Sequence, residues 1–289
     1  MARILVLGGT RNLGHFTATR LFEAGHSVTV LNRGITPDEL PPGIERLHTA
    51  REDSERVRRI VHGKSWDVLV DTTSYTGSDA HSVHNLFRGL CERAVFISTG
   101  QVYLVRAGIR PPFRESDYEG ELIRAPAPGT ADHKDWLYGV HKRDAEDAYA
   151  KTANDMAVTS LRLPMIASER DHYARIQGYI ARVRDGGPIL LPEGTTLPIR
   201  HVCVHDVTRL IEHLVANPWK GYRAFNISCG ESISLSDFFR LLGGELRVET
   251  LVADELLVRP TLHDPAARHD AGHRLGHRGT PRRLAGEPH

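Results

Sequence analysis

A glycine-rich turn between two apolar segments is the feature of this sequence that most limits its fold. Ala2 to Leu7 (ARILVL) is a largely apolar run, as expected for a strand buried in a parallel sheet, and Gly8 ends it. The pattern predicts a helix over Asn12 to Ala24, which Gly25 terminates, and a second strand over His26 to Asn32. The chain therefore opens with a strand, turn, helix and strand, the building block of a parallel α/β sheet.

The turn itself, GGTRNLG, has the composition of a dinucleotide-binding loop. In such a loop Gly8 makes the turn, Gly9 leaves room for a pyrophosphate and Gly14 lets the helix pack on the strand. The backbone N–H groups at the start of the helix then face the phosphates. The other positions of the predicted loop are Thr10, Arg11, Asn12 and Leu13. Because glycines are common at any strand-to-helix turn, a plain βαβ turn without a ligand is the alternative.

The residues that end the second strand bear on which dinucleotide fits. NAD sites usually have a carboxylate there to bind the ribose 2′-hydroxyl, whereas this sequence has Asn32 and Arg33. A guanidinium group can bind a 2′-phosphate through two parallel hydrogen bonds, and Arg11 lies in the turn below the same ribose. The two arginines predict a preference for NADP(H). NAD(H) is the alternative, in which both arginines are solvated surface residues.

Strands and helices continue to alternate along the first part of the chain. This rhythm predicts a Rossmann-type, doubly wound parallel sheet of the α/β class, with residues 1–165 as an NAD(P)-binding domain. The mixed pattern of residues 166–259 predicts a smaller C-terminal substrate-binding lobe, and a strand near residues 200–204 is expected to rejoin the first domain. Residues 260–289 are rich in Arg, His, Gly and Pro, and we expect a disordered tail there.

The overall composition argues against several classes of partner. The formal net charge is +1, so neither nucleic acid nor a membrane surface is an expected partner. No apolar run approaches the roughly 20 residues that a bilayer-spanning helix needs, and the N-terminus begins with a strand instead of a signal peptide. The three cysteines are far apart, and the histidine pairs lack further ligands at metal-binding spacing. These features predict reduced thiols, a cytoplasmic protein and no metal site.

Two further segments carry candidate catalytic side chains. Tyr138 and Lys142 are four residues apart, a spacing that puts both on one face of a helix. A nearby ammonium group favours the phenolate form of tyrosine, which suits the pair to proton exchange. The strand predicted over Ala94 to Ser98 ends beside Thr99, at the sheet edge where open α/β proteins bind ligands. Thr99 is therefore expected to hydrogen-bond a substrate oxygen, and capping of the strand end is the alternative.

Together these segments resemble the extended short-chain dehydrogenase/reductase family, the NAD(P)-dependent epimerase/dehydratase group. The stretches that carry the resemblance are GGTRNLG, STGQVY, YGVHK, RLP and HVCVHDV. The resemblance implies that Thr99, Tyr138 and Lys142 form a hydride-transfer site. It also implies that Pro164 lies near the nicotinamide and that the protein is a homodimer.

Other positions follow from the resemblance or depart from it. Thr72 and Thr73 are expected along the cofactor. Arg51 is expected in the adenine region, where the family often has an aspartate one residue earlier. Extended members usually have glycine at the position of Arg11, whereas the shorter branch often has a basic residue there that contacts the NADP 2′-phosphate. GGTR turns also occur in chloroplast stem-loop RNA-binding proteins, which typically lack the Tyr–Lys pair.

The sequence predicts an NADP(H)-dependent oxidoreductase or epimerase that transfers hydride at a hydroxyl or carbonyl carbon of a sugar or nucleotide-sugar-like substrate. The Pro- and charge-rich segment from Leu104 to Leu137 is a candidate lid over the site. Further candidate substrate contacts are Ser98, Gln101, Asp132, His133 and Tyr173. Two alternatives stay open: an NADPH-dependent ketone reductase of a biosynthetic pathway, and a non-catalytic NAD(P)-binding regulatory or RNA-associated protein.

Overall fold

A seven-stranded parallel sheet forms the centre of the molecule. The computed structural model describes residues 1–192, 198–243 and 248–251. The strands are β1 (Arg3–Leu7), β2 (Ser27–Asn32), β3 (Glu45–His48), β4 (Trp66–Asp71), β5 (Cys91–Thr99), β6 (Ala157–Leu163), β7 (Met165–Ala167), β8 (Ile189–Pro192), β9 (Pro198–Ile199), β10 (His201–Cys203), β11 (Tyr222–Asn226), β12 (Ile233–Ser234) and β13 (Val248–Leu251). The central sheet has the order β3–β2–β1–β4–β5–β6–β11, and its neighbouring strands are all parallel. This arrangement confirms the predicted Rossmann-type α/β fold.

Helices cover both faces of the central sheet. They are α1 (Asn12–Glu23), α2 (Ser54–Val61), α3 (Gly77–Phe87), α4 (Gln101–Leu104), α5 (Ala131–Thr152), α6 (Arg175–Arg184), α7 (Val204–Ala216) and α8 (Leu235–Gly243), with a 3₁₀ helix at Glu115–Tyr118. Helices α1 and α7 pack on one face, and α2, α3 and α5 pack on the other. Along β1, Ile4 and Val6 join the first core while Leu5 and Leu7 join the second. This burial on both faces explains why β1 reads as a nearly continuous apolar run.

The order of the strands reverses at β1, with β2 on one side and β4 on the other. Such a reversal leaves a crevice at the carboxyl edge of the sheet, where the loops that leave these strands diverge. Two hydrogen bonds join the loops at their bases. Asn32 Nδ2 donates to Gly8 O at 3.3 Å, and Thr72 Oγ1 donates to Leu7 O at 2.7 Å.

The segment predicted as a strand near residues 200–204 does not join the central sheet. Pro164 interrupts the chain after β6, and the chain continues as β7, with which β10 pairs in a separate two-stranded sheet. The strand that extends the central sheet is β11, which pairs with β6 after α7 has packed along the sheet face. The expectation that a strand near residues 200–204 rejoins the first domain stays a prediction; Val202 and Val204 pack in the core on one face of the central sheet, and the strand that extends the sheet itself is Tyr222–Asn226.

Helix α5 begins at Ala131, two turns before Tyr138. The side chain of Thr130 accepts a hydrogen bond from His133 N at 3.1 Å and so caps the helix. Asp132 in the first turn adds a negative charge at the positive end of the helix dipole. Tyr138 consequently lies in the body of a long helix.

A smaller group of elements follows β7. In the described part of the chain it contains α6, α8 and the short strand pairs β8–β13 and β9–β12. Its apolar centre is formed by Ile189, Leu191 and Phe239, with Tyr179 and Val183 packed against them. The division into two domains stays a prediction, and the predicted tail over residues 260–289 lies outside the described residues. No helix among the residues described has the length and apolar character needed to cross a bilayer.

Candidate active site

The glycine turn after β1 is packed so tightly that a side chain does not fit at its three glycine positions. Gly8 and Gly9 have φ angles of +100° and +85°, which residues with side chains rarely adopt. A Cβ atom on Gly8 would lie 2.4 Å from Thr72 Oγ1, and one on Gly9 would lie 1.9 Å from Val30 Cγ1. At the start of α1, a Cβ atom on Gly14 would lie 2.7 Å from the nitrogen of Gly9. The three glycines therefore bring the N-terminus of α1 against the strand ends.

A groove of about 510 Å³ runs over this turn along the carboxyl edge of the sheet, and its volume is typical of a ligand site. The predicted cofactor residues in its lining are Gly8, Gly9, Thr10, Arg11, Asn12, Leu13, Gly14, Asn32, Arg33, Arg51, Thr72 and Thr73. The remaining one, Pro164, is half-buried between β6 and β7. These residues fit a dinucleotide, because the close glycine turn and the N-terminal N–H groups of α1 can face a pyrophosphate.

Two arginines border the groove beyond the end of β2. Arg11 donates to Thr36 Oγ1 at 3.0 Å, and Arg33 is exposed directly after the strand. The side chain of Asn32 is used internally, because its Oδ1 accepts a hydrogen bond from Gly34 N at 2.7 Å. Two guanidinium groups thus lie near this strand end, and such groups are suited to binding a phosphate.

The wall of the groove after β4 is held rigidly by charged side chains. Arg51 donates to the main-chain oxygen of Thr73 and forms an ion pair of 2.9 Å with Asp79. Asp71 is fully buried and accepts hydrogen bonds from the main-chain nitrogen and the hydroxyl of Thr73, at 2.8 and 3.0 Å. Thr72 is tied to a main-chain oxygen of β1. Arg51 thus braces the groove wall through contacts that sequence reasoning did not predict.

The three predicted catalytic residues come together where β5 ends. Lys142 is buried on α5, and its Nζ donates to Ser74 O at 2.7 Å and to Ile97 O at 2.9 Å. Tyr138, one turn earlier on α5, keeps an exposed fraction of 38%, and its phenol lies beside the side chain of Thr99. Because Ile97 also lines the groove, the ammonium group of Lys142 lies next to the groove.

The surroundings shift the pKa values of both groups on α5. Burial raises the pKa of Tyr138 to about 12; the neighbouring Tyr75 adds to the rise, and the side chain of Thr99 opposes it. Burial lowers the pKa of Lys142 to about 8, and the charge of Asp71 opposes that fall. At neutral pH the phenol is therefore protonated and the lysine is charged. A further positive charge nearby would lower the pKa of the phenol.

The candidate substrate residues on β5 and α4 lie in different environments. Ser98 is buried, and its hydroxyl donates to the carboxylate of Glu146 inside the protein. The structure does not bring Ser98 to the groove, because side chains alternate along a strand and Thr99 takes the outward position. Gln101 begins α4, and its main-chain N–H donates to Thr99 Oγ1 at 3.2 Å.

The other candidate substrate residues lie on segments that flank the site. Asp132 is exposed in the first turn of α5, and the half-buried His133 stacks on Trp136 with ring centroids 6.0 Å apart. Tyr173 has an exposed fraction of 48%, and the guanidinium of Arg175 lies 5.5 Å from its ring centroid. Among the residues that the structure describes, no group of three His, Cys, Asp or Glu side chains is arranged to hold a metal ion.

A buried ion pair beneath the site was not predicted. Arg162 Nη2 lies 2.6 Å from Glu146 Oε2, and both side chains are almost fully buried. Glu146 is four residues after Lys142 on the same face of α5, and this spacing was the available signal. Tyr75, which contacts Lys142 through its ring, was also missed. It follows β4 without any regular spacing that would single it out.

Sequence comparison relates the chain to two curated proteins. It is 31% identical to the 2′-dehydrokanamycin reductase of Streptomyces kanamyceticus over 97 residues, which are 34% of this chain and 27% of that protein. It is 24% identical to the chloroplast stem-loop binding protein of 41 kDa b of Arabidopsis thaliana over 241 residues, which are 78% of this chain and 58% of that protein. The chain thus spans less than two thirds of either relative.

The family model described as the NAD dependent epimerase/dehydratase family matches residues 4–228. The match extends from β1 through β11 and includes the glycine turn, Thr99, Tyr138 and Lys142. The chain therefore belongs to the NAD dependent epimerase/dehydratase family. This result confirms the predicted family and, at the level of the family, the prediction of an NAD-dependent enzyme.

Solved structures agree with this fold. The UDP-glucose 4-epimerase of Thermotoga maritima, solved with UDP-glucose, has a TM-score of 0.67 and 18% identity; the match covers 86% of this chain and 85% of that one. The Bordetella bronchiseptica enzyme WbmG, solved with NAD and UDP, has a TM-score of 0.66 and 19% identity, with coverage of 93% and 88%. At these identities the likeness establishes the fold alone.

Proposed function

We propose that this protein is an NADP(H)-dependent oxidoreductase or epimerase that acts at a hydroxyl or carbonyl carbon of a sugar or nucleotide-sugar-like substrate. The observation that carries the proposal is the convergence of Thr99, Tyr138 and Lys142 beside a groove built on a glycine turn. A proton-transfer group beside a dinucleotide groove is what hydride transfer at a hydroxyl-bearing carbon requires.

The chemistry of the site follows from three side chains. NADP+, when bound, supplies a hydride acceptor for the carbon that carries the substrate hydroxyl. Tyr138 Oη removes the hydroxyl proton during oxidation and returns it during reduction, while Thr99 Oγ1 hydrogen-bonds the substrate oxygen. Lys142 holds a positive charge near the phenol and so favours the phenolate. Because the phenol is protonated at neutral pH and Lys142 keeps its charge below about pH 8, the rate of oxidation should rise with pH up to about pH 8.

The test removes only the hydroxyl of Tyr138. Tyr138→Phe should lower turnover by about 10²- to 10⁴-fold, the usual contribution of a general acid–base group, and leave dinucleotide affinity nearly unchanged. Tyr179→Phe is the matched control, because Tyr179 packs among aromatic rings of the C-terminal elements. Turnover in Tyr138→Phe close to that of the wild type would reject the mechanism.

NADP(H) is the proposed cofactor, and NAD(H) is the alternative. Arg11 and Arg33 beside the end of β2 support NADP(H), since guanidinium groups bind phosphates bidentately. The family description and the NAD complex of WbmG support NAD(H). Denaturing the purified protein and identifying any released dinucleotide distinguishes the two. If none is released, titrations with NADPH and NADH decide between the two cofactors. Equal affinities would contradict the proposal that Arg11 and Arg33 select NADP(H).

A second candidate is a ketone reductase, which the similarity to 2′-dehydrokanamycin reductase supports over 97 residues. A reductase consumes one NADPH for each product molecule and exchanges its cofactor, whereas an epimerase regenerates and retains it. Assays with nucleotide sugars and with ketosugars, followed by NADPH absorbance, separate these activities. Net oxidation of NADPH would favour the reductase, and conversion of substrate without net oxidation would favour the epimerase.

A third candidate, from another class, is a non-catalytic RNA-associated protein. The similarity to a chloroplast stem-loop binding protein supports it, while the Tyr138–Lys142 pair supports an enzyme. Binding of a stem-loop RNA, measured with and without residues 260–289, tests this candidate. Tight RNA binding together with no turnover would favour it.

We further propose a homodimer, which light scattering of the purified protein would test.

A further inference from the structure

The segment between β4 and α3 is fixed by two carboxylates, one at each end. Asp71 accepts a hydrogen bond from Ser74 N at 3.1 Å. Asp79 accepts hydrogen bonds from Tyr75 N at 2.9 Å and from Thr76 N at 3.0 Å. Tyr75 therefore extends from a rigid backbone, although 53% of its side chain is exposed. A large exposed ring on a fixed backbone suits a role in positioning its neighbours.

The ammonium group of Lys142 is enclosed by two carbonyl oxygens and two aromatic rings. The oxygens of Ser74 and Ile97 accept two of its three N–H bonds. Nζ lies 4.7 Å from the ring centroid of Phe96 and 4.8 Å from that of Tyr75. Phe96 is fully buried, so Tyr75 is the exposed member of this enclosure. Both rings can stabilise the ammonium through their π faces.

The same ring also faces the proposed acid–base residue. The rings of Tyr75 and Tyr138 have centroids 6.3 Å apart and an interplanar angle of 50°. Tyr75 lines the groove as well, whereas Tyr138 and Lys142 lie just beyond its lining. A single side chain thus contacts both catalytic candidates and the space that the dinucleotide would occupy.

We propose that Tyr75 is a positioning residue of this site, whose ring covers the Lys142 ammonium on the groove side and forms the wall opposite Tyr138. This inference rests on the proposed function. The contacts with Lys142 and Tyr138 are made by the ring of Tyr75, so the role proposed for this residue does not require its phenol hydroxyl. The role therefore requires an aromatic side chain, and phenylalanine should serve as well as tyrosine.

Two variants separate the ring from the hydroxyl. In Tyr75→Ala the cover is lost, and kcat should fall about tenfold or more, whereas the KM for the dinucleotide should change much less. Tyr75→Phe should keep kcat close to the wild-type value. Because the side chain is half exposed, truncation creates no closed cavity, and the midpoint of thermal unfolding should stay nearly constant. If Tyr75→Ala does not fold, Tyr75→Leu replaces it.

A second readout does not depend on turnover. Acetic anhydride at about pH 8 acetylates lysine amines, and mass spectrometry compares Lys142 with the exposed Lys151 in the same sample. Lys142 should react about tenfold faster in Tyr75→Ala than in wild type or Tyr75→Phe, because loss of the ring opens the amine to solvent. Unchanged labelling in Tyr75→Ala, or equal loss of kcat in Tyr75→Phe, would overturn the proposal. Failure of the proposed function is distinguishable. The wild type would then show no turnover to compare, whereas the difference in acetylation of Lys142 would still be observed.

Discussion

Gly9 and Gly25 have almost the same backbone conformation but different surroundings. Their φ angles are +85° and +84°, yet a Cβ atom on Gly9 would lie 1.9 Å from Val30 Cγ1 while one on Gly25 would meet nothing within 4 Å. Alanine at either position bears the strain of a left-handed conformation, about 1–2 kcal/mol. Only Gly9→Ala also overpacks the buried Val30, which adds about 1–3 kcal/mol.

We therefore expect Gly9→Ala to lose more unfolding free energy than Gly25→Ala, and to lose dinucleotide binding as well. Urea unfolding gives the first quantity and fluorescence titration with NADPH gives the second. Gly25→Ala is the matched control, because it shares the backbone strain without the clash. Equal losses of stability in the two variants would show that close packing at Gly9 contributes nothing.

Lys142 should leave a signature in the pH dependence of stability. Burial lowers its pKa from the ordinary value of 10.5 to about 8, so between these values the unfolded chain binds more protons than the native protein. The free energy of unfolding of the wild type should therefore rise with pH across this window, relative to Lys142→Met, by about 3 kcal/mol in total. Urea unfolding of both proteins at several pH values measures this difference. A difference that stays constant with pH would contradict the shifted pKa.

The sequence predicted Tyr138 and Lys142 because their spacing on a helix is visible, and it predicted Thr99 because a strand visibly ends there. It did not predict the enclosure of Lys142. Two members of that enclosure are the main-chain oxygens of Ser74 and Ile97, which any residue type would provide. The shift in the pKa of Lys142 depends on this three-dimensional burial, so the sequence alone could not indicate it.

At the scale of elements, α5 links the site to the interior through a buried charge. Glu146 on α5 accepts hydrogen bonds from Arg162 on β6 and from the hydroxyl of Tyr222 on β11. Glu146→Gln would leave the guanidinium of Arg162 buried without its counter-charge. We expect a loss of about 3–5 kcal/mol in the free energy of unfolding, since breaking a buried ion pair strands the remaining charge.

The control for this prediction is an ion pair at the surface. Arg20 and Glu212 join α1 to α7 at 2.6 Å, with exposed side-chain fractions of 40% and 31%. Glu212→Gln should cost less than about 1 kcal/mol, because solvent screens the charges. Urea unfolding measures both variants. A cost for Glu146→Gln no larger than that for Glu212→Gln would contradict the importance of the buried pair.

The first residues of α3 and α5 can be predicted from the local sequence, because capping residues precede both helices. Thr76 and Asp79 form a capping box that begins α3 at Gly77, and the spacing of these two residues is a sequence signal for a helix start. Thr130 begins α5 in a similar way. Apolar periodicity alone points to later starts, because the first turns of both helices are polar. Capping residues were therefore the more informative signal for these two boundaries.

At the scale of the whole molecule, local pattern cannot decide which strands pair. Residues 201–203 and 222–226 both form short strands, but only the second joins the central sheet. The choice depends on α7, whose apolar face packs on the sheet between them and leaves the chain at the edge of β6. Contacts between residues that are far apart in the sequence also shape the entrance of the groove. Such contacts cannot be predicted from the local sequence of either segment.

One such contact joins the loop after β2 to the segment after β7. Arg170 Nη1 lies 2.7 Å from Glu39 Oε2, with exposed side-chain fractions of 34% and 74%. Residues on both of these segments line the groove, Thr36 on one and His172 on the other. The ion pair therefore connects two segments that border the groove, and breaking it should let them move apart more easily.

Loss of this ion pair should speed release of the dinucleotide. In Arg170→Ala we expect the dissociation rate of NADPH to rise about two- to fivefold at low ionic strength, because an exposed ion pair contributes at most about 1 kcal/mol. The increase should shrink at high salt, which screens the pair in the wild type. Arg209→Ala is the control, since it removes a surface arginine whose ion pair, with Asp206, lies within α7 and away from the groove lining. Stopped-flow displacement of NADPH measures the rates, and equal rates for the two variants at low salt would show that the ion pair does not restrain the cofactor.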